Sequence, residues 1–464
     1  MFLKLSKFLL YLTPLAVLLV MPSIFFPFIG GKYWFFRIVT EAALACLLLF
    51  WAWEDRRGEM ERTVRQVLRE PLVRAATAFA AVFLLATYLA HDRTAAFWSG
   101  FERGDGGFQI LHYYVFFLLL VIVFRSDAEW RRYFQVWLGA ALGMIGYGLI
   151  AAALTEGFIG PYTDLAQLGY WQRLFSGVRF QGSLGNPVYV GPFLMFSLFY
   201  GFWLWWSRFR SGSARHLGYS LLTILFLIFF ALAQSRGAFL GLAAATFVFL
   251  GYIVWQSSRW RTYAMLGLLA LLALGGALFA ARNTPFVERL PLGHLLTIGD
   301  ALQTGNPRLW AWGIAWQGFR ERPLLGWGPE NYSAVFDGHF NARFFDPHGS
   351  ETWFDRAHSL YLDYLSETGL LGLLAYLFMF AAFYWSFFRT PLRSAPAGNK
   401  TAAPVPSRST ALVERALLLA LPVGYLVQGI FLFEVLPIYL NLFTVLAFAV
   451  YYFRSGPELK VNRH

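Results

Sequence analysis

The sequence predicts an all-α, polytopic integral membrane protein of about twelve transmembrane helices, with one large helical loop outside the bilayer. Three observations carry this: the composition, the recurrence of apolar runs of membrane-spanning length, and the uneven placement of Lys and Arg. Of 464 residues, 58% are hydrophobic, 19% aromatic and only 14% charged. Ordinary globular chains carry roughly 25% charged residues, and a soluble chain of this size needs more polar surface than this one supplies. The composition excludes a cytosolic enzyme, a disordered chain and a disulfide scaffold. The one cysteine, Cys46, lies inside an apolar run. It forms no intramolecular disulfide and reads as a small buried hydrophobe.

A bilayer core about 30 Å thick takes about 20 helical residues. Against that length the chain offers spans at 9–29, 34–53, 73–90, 107–124, 133–153, 187–206, 217–234, 238–256, 263–281, 368–388, 412–432 and 435–453. The first run is too long for a cleaved leader, and no small-residue cleavage site follows it. An even number of spans puts both termini on one side. With the termini in the cytoplasm, the inside segments hold 22 Lys and Arg over about 84 residues, and the outside segments 13 over about 144. Arg56, Arg57, Arg62, Arg65 and Arg69 share one inside loop. Basic residues favour the cytoplasmic side, so the termini are placed there. Trp34, Trp53, Trp205, Trp206 and Trp255 near span ends fit aromatic belts. The net charge of +12 is scattered between apolar runs, so it reads as membrane orientation, with no nucleic-acid partner expected.

Nine helices fill 1–281, a large outer loop carrying part of the site fills 282–367, and three helices fill 368–464. Within the last segment, 389–411 is rich in Pro, Ala and Ser and reads as a flexible cytoplasmic linker. The outer loop is rich in aromatics, including Trp310, Trp312, Trp316, Trp327 and Trp353, which need a surface to pack on. Its stretch 308–320 has apolar residues at helical spacing and suits a membrane surface.

The informative residues are polar groups at the outer face. Ser235-Arg236-Gly237-Ala238 sits between two apolar runs, which holds Arg236 at the bilayer surface. A fixed Arg there is costly unless it meets an anion, and its fork of donors suits phosphate. Gly237 permits close approach of a ligand or backbone. Arg179 precedes a Gly-rich turn ending in Asn186 and Pro187, resembling an anion-binding mouth before a helix N-terminus. Arg308 follows Pro307 and opens another helix. His358 and Tyr361 recur at helical spacing just before a span, and a His there can take a proton from a hydroxyl near neutral pH. The blander readings are a snorkelling Arg, a simple turn, a salt bridge and a structural His. Together the residues suggest transfer of a glycan from a lipid pyrophosphate: arginines on phosphate, a His activating a hydroxyl, rings stacking on sugars. No Asp/Asn cluster for a metal is evident, so Arg is expected to offset the pyrophosphate charge, with no metal or cofactor.

The motifs Ser235-Arg236-Gly237-Ala238, Arg308-Leu-Trp-Ala-Trp, Pro323-Leu-Leu-Gly-Trp-Gly-Pro-Glu-Asn331, His358-Ser-Leu-Tyr-Leu and Glu367-Thr-Gly-Leu, in this order around a large outer loop, resemble the O-antigen ligase and Wzy-type polymerase superfamily of bacterial envelope proteins. They are most like its O-antigen ligases. The resemblance is best over about 175–390. It implies a GT-C-type architecture and a metal-independent, inverting glycosyltransferase in the bacterial inner membrane, its active site facing the periplasm. The implied donor is a glycan on undecaprenyl pyrophosphate. The implied acceptor is lipid A-core, with a second glycan or a protein as alternatives. Carried over, Arg236 and Arg308, with Arg179, bind the pyrophosphate, and His358 is the base. Ser235, Gly237, Asn186 and Tyr361 support them. The family often has Asn after this His, where this chain has Ser359. A transporter for lipid-linked sugars is the rival from another class, but no matching pair of broken helices marks the two halves.

Overall fold

The computed structural model describes residues 1–53, 57–100, 104–153, 179–207, 213–284, 287, 307–345, 352–392 and 408–454. Among them all regular structure is helical. In chain order the helices are α1 (Phe2–Leu12), α2 (Gly30–Trp53), α3 (Arg57–Val67), α4 (Pro71–Tyr88), α5 (Arg93–Trp98), α6 (Gly107–Val123), α7 (Asp127–Ala153), α8 (Pro187–Ser207), α9 (Ser213–Leu232), α10 (Arg236–Gln256), α11 (Arg261–Ala280), α12 (Pro307–Glu321), α13 (Tyr332–Gly338), α14 (Leu360–Glu367), α15 (Gly369–Arg389), α16 (Arg408–Gln428) and α17 (Leu436–Arg454). Short 3-10 turns lie at Thr13–Leu18, Gly182–Leu184 and Ala342–Phe345.

Among the described residues ten helices, α2, α4, α7 to α11 and α15 to α17, are long and apolar enough to cross a membrane, so the chain is a multi-pass helical membrane protein. Two expected spans differ. α6 is apolar but only 17 residues long, about 25 Å at the usual rise. The run 9–29 is not one helix. α1 stops at Leu12, a 3-10 turn follows to Leu18, and turns lead to α2 at Gly30. Pro14, Pro22 and Pro27 explain the break, since each lacks the amide that continues a helix. The linker expected at 389–411 lies mostly outside the described residues; α15 ends at Arg389 and α16 begins at Arg408.

Two compact units emerge. The first comprises Met1–Glu129, Ile298–Ser386 and Gly429–Tyr451. In it α1 packs on α2, where the Ser6 hydroxyl donates to the Ala43 carbonyl at 2.9 Å. Phe36 of α2 meets Tyr113 and Phe116 of α6 with ring centroids 5.5 and 5.4 Å apart. Phe79 of α4 lies edge-on to Tyr364 and Tyr376. The described part of 307–367 builds its own core from Ala311, Ile314 and Ala315 of α12, Tyr332, Val335 and Phe336 of α13, and Phe344, Phe354 and Ala357. One face of α12 is therefore packed on α13 and α14, while Leu309 and Trp316 stay exposed.

The turn between α12 and α13 is pinned to the end of α14. Gly326 and Gly328 adopt φ of +66° and +99°, which a side chain rarely tolerates. The Trp327 amide donates to the Ser366 carbonyl at 2.9 Å and the Gly328 amide to the Glu367 carbonyl at 2.8 Å. The turn thus lies against the end of α14. A Cβ on Gly326 would sit 2.4 Å from the Glu367 carbonyl carbon, so only glycine fits this approach.

The second unit comprises Trp130–Thr297, Phe387–Gln428 and Tyr452–His464. α10 packs along α16, and α8 on α9 and α16. α11 is almost wholly exposed, presenting Leu266, Leu269, Leu272 and Phe279, which suits a helix facing hydrocarbon.

Candidate functional site

Each unit holds one group of the residues singled out from the sequence. In the first unit His358 stands immediately before α14, with Ser359 as N-cap. Its backbone has φ +57°, a left-handed conformation costly for a side-chain-bearing residue. Such strain persists only where surroundings over-determine it, and it concentrates at functional sites. The surroundings are visible. The Ala357 amide donates to Asp363 Oδ1 at 2.7 Å. The Leu360 amide is shared by the Gly429 and Leu432 carbonyls at 2.8 and 2.9 Å. The imidazole lies edge-on to Phe354 and Phe433, with centroids 5.3 and 5.0 Å away.

His358 Nδ1 lies 3.1 Å from the Arg356 carbonyl oxygen. A carbonyl only accepts, so this contact puts the proton of the neutral ring on Nδ1 and the lone pair on Nε2. That is the form a general base needs. Tyr361 follows on α14, half-buried, its hydroxyl held above its usual pKa by burial and by Glu434.

Behind the histidine is a charge cluster that the sequence pattern did not reveal. Arg356 Nη1 donates to both carboxylate oxygens of Glu367, at 2.7 and 2.9 Å. Its Nη2 donates to Glu330. The Glu330 amide donates to Glu367 Oε1 at 3.2 Å, and the Ser99 hydroxyl to Glu330 Oε2 at 2.8 Å. Arg356, Glu367 and Asp363 are buried. Burial is the main cause that pushes Glu367 and Asp363 above the usual carboxylate range, with Arg356 opposing it in both. Asp105, also buried, is pushed up to about 6, against hydrogen bonds from Tyr33 and Tyr113 and the charge of Arg356. Glu330 and Glu367 stand inside motifs visible in the sequence. Their pairing with Arg356 was not, because the partners lie 26 and 11 residues away.

Arg308 belongs to the same unit. It is the second residue of α12, half-buried, after Pro307, and α12 packs on α14. A helix start carries partial positive charge that adds to a guanidinium in favouring an anion.

The second unit gathers the other residues at one corner. Arg236 is the first residue of α10, exposed, with buried Ser235 as N-cap and buried Gly237 after it. Gln234, just before, has φ +48°, a second strained residue beside a candidate. Arg179 Nε donates to the Ala233 carbonyl at 3.2 Å, and the Phe180 amide to the Leu232 carbonyl at 3.0 Å. Arg179 and Arg236 therefore flank the same turn between α9 and α10. Asn186 plays a structural part, because its Oδ1 accepts the Val188 amide at 2.9 Å and caps α8. α8 approaches α10 closely at Gly191, where a Cβ would lie 2.6 Å from that of Ala238. Among the described residues, no group of three or more His, Cys, Asp or Glu is arranged to hold a metal ion.

A multi-pass helical membrane protein with arginines and a histidine at helix starts defines the class. Residues 221–377 match the O-antigen ligase family. The matched stretch is similar to that family, in which glycan-transferring ligases and polymerases are grouped, and it spans about a third of the chain. The match covers Arg236, Arg308 and His358. No match was found among curated proteins.

Proposed function

We propose that this protein transfers a glycan from undecaprenyl pyrophosphate to an acceptor hydroxyl, that of lipid A-core, at the periplasmic face of a bacterial inner membrane. The observation that carries the chemistry is the contact of His358 Nδ1 with the Arg356 carbonyl, which leaves Nε2 as the basic nitrogen. In the proposed step Nε2 takes the acceptor's hydroxyl proton. The hydroxyl oxygen forms a bond to the anomeric carbon as the bond from that carbon to the pyrophosphate oxygen breaks, with inversion. Arg236, Arg308 and Arg179 bind the pyrophosphate and offset its departing charge. The cytoplasmic termini rest on the distribution of Lys and Arg.

The test is complementation of a ligase-deficient strain, reading lipopolysaccharide ladders. Wild type restores long-chain ladders, and His358→Ala, present at equal level in the membrane, does not. Ladders restored by His358→Ala at the wild-type rate would overturn the role of the histidine. Failure of well-expressed wild type would overturn lipid A-core as acceptor and point to a second glycan or a protein.

A further inference from the structure

A buried ion cluster is an expensive way to hold a loop together. Taking several charges out of water costs more than packing apolar groups of the same volume, and such clusters are often neutral or unfavourable for stability. Here one buried guanidinium serves two carboxylates from distant segments, Glu330 in the turn after α12 and Glu367 at the end of α14. The cluster sits two residues from a histidine in left-handed conformation. The main-chain oxygen of Arg356 is the acceptor that selects the tautomer of His358. The same residue is thus anchored by its side chain and used by its carbonyl.

We infer that Arg356, clamped by Glu367 and Glu330, is a positioning residue: it holds the carbonyl that keeps the proton of His358 on Nδ1 and the lone pair on Nε2. The inference rests on the reading of His358 as the base. The geometry explains why a charged clamp stands here. Apolar packing fixes volume, whereas a guanidinium held by Nη1 on one carboxylate and Nη2 on another fixes direction in a plane. Asp363 fixes the next amide, so the peptide between residues 356 and 357 is held from both sides. A carbonyl swung away would release Nδ1, and a neutral imidazole would then populate both tautomers. The fraction with the proton on Nε2 cannot accept a proton there.

The experiment uses the full-length protein in detergent, with 15N-labelled histidine. The His358 signals are identified by their loss in His358→Gln. In wild type, His358 shows a protonated Nδ1 and an unprotonated Nε2 when neutral. Arg356→Met is expected to give a mixture of tautomers. It is also expected to lower kcat for transfer from donor lipid by about 10²-fold, with KM for the donor within about twofold. Arg356→Lys keeps the charge without the fork and is expected to recover part of kcat. Glu367→Gln preserves shape and serves where Arg356→Met fails to fold; it is expected to shift the tautomer in the same direction with a loss of about tenfold. An unchanged tautomer in folded Arg356→Met, or in Glu367→Gln, overturns the inference. A shifted tautomer with unchanged kcat upholds the positioning of His358 and overturns its reading as the base.

Discussion

Asp363 Oδ1 accepts the amide of Ala357 at 2.7 Å and closes the loop one residue before His358. Ala357 is fully buried and Asp363 is 6% exposed, so no water replaces the bond if it is lost. Asp363→Ala leaves a buried amide unpartnered, at a cost of about 1–3 kcal/mol. Asp363→Asn keeps an acceptor at the same place. It also resembles the protonated acid that burial and the neighbouring Glu367 favour. The expected outcome is a lowered thermal midpoint in detergent and reduced transfer for Asp363→Ala, with Asp363→Asn close to wild type in both. Equal losses in the two variants would show that the charge of Asp363 matters rather than its acceptor oxygen.

Asp105 gives the structure a pH dependence of defined sign. Its carboxyl is pushed up from 3.8 to about 6 by burial. A carboxyl raised on folding favours the folded state most when protonated. Its stabilising contribution is complete below about 3.8 and is lost as pH rises through about 6. The difference is on the order of 3 kcal/mol. Asp105→Asn removes the charge while keeping an acceptor for Tyr33 and Tyr113. The variant is expected to unfold at a higher temperature than wild type at pH 8 and at nearly the same temperature at pH 4. A shift of equal size at both pH values would mean that the carboxyl is not raised by burial.

The contrast between fold and site shows what a sequence can carry. Hydropathy placed α8 and α10 within about two residues, because a helix of span length must be apolar along its whole run. The same rule read 9–29 as a single span because it weighs Pro14, Pro22 and Pro27 by hydropathy and not by their missing amides. His358 and Arg236 could be singled out as candidates because each is a polar residue beside an apolar run, and Arg308 because it follows Pro307 at the start of a helix. The clamp on Arg356 carried no such signal. Ser99 reaches Glu330 across 231 residues, and no spacing rule spans that separation. Nor does a sequence disclose that His358 takes a left-handed backbone, since that conformation is forced by contacts from Asp363, Gly429 and Leu432.

Asn186 separates a structural role from a chemical one. Its side chain caps α8, holding the Val188 amide at 2.9 Å. Loss of such a cap costs about 1 kcal/mol. Asn186→Ala is therefore expected to lower the thermal midpoint. The transfer rate per folded molecule should stay within about twofold of wild type, because the side-chain oxygen of Asn186 is committed to the start of α8. Asn186→Asp keeps the cap and should restore stability. A fall in kcat of tenfold or more with an unchanged midpoint would move Asn186 from the scaffold into the site.

Arg236 and Arg308 both stand at helix starts, where the backbone adds partial positive charge to the side chain. If they meet the pyrophosphate as it departs, their contacts strengthen as negative charge builds on the leaving oxygen, and the loss on removal falls on kcat. Each Arg→Ala variant is expected to lower kcat by about 10²–10³-fold, the scale for one preorganised donor to a developing anion. Arg→Lys should recover less than the full rate, because an ammonium supplies a point charge without the two parallel donors. Arg179 already spends Nε on the Ala233 carbonyl, so Arg179→Ala should cost less than Arg236→Ala. Steady-state kinetics over a range of donor-lipid concentrations decides the matter. If Arg236→Ala raises KM and leaves kcat unchanged, the arginine binds donor equally before and during reaction. Its assignment to the departing charge then fails.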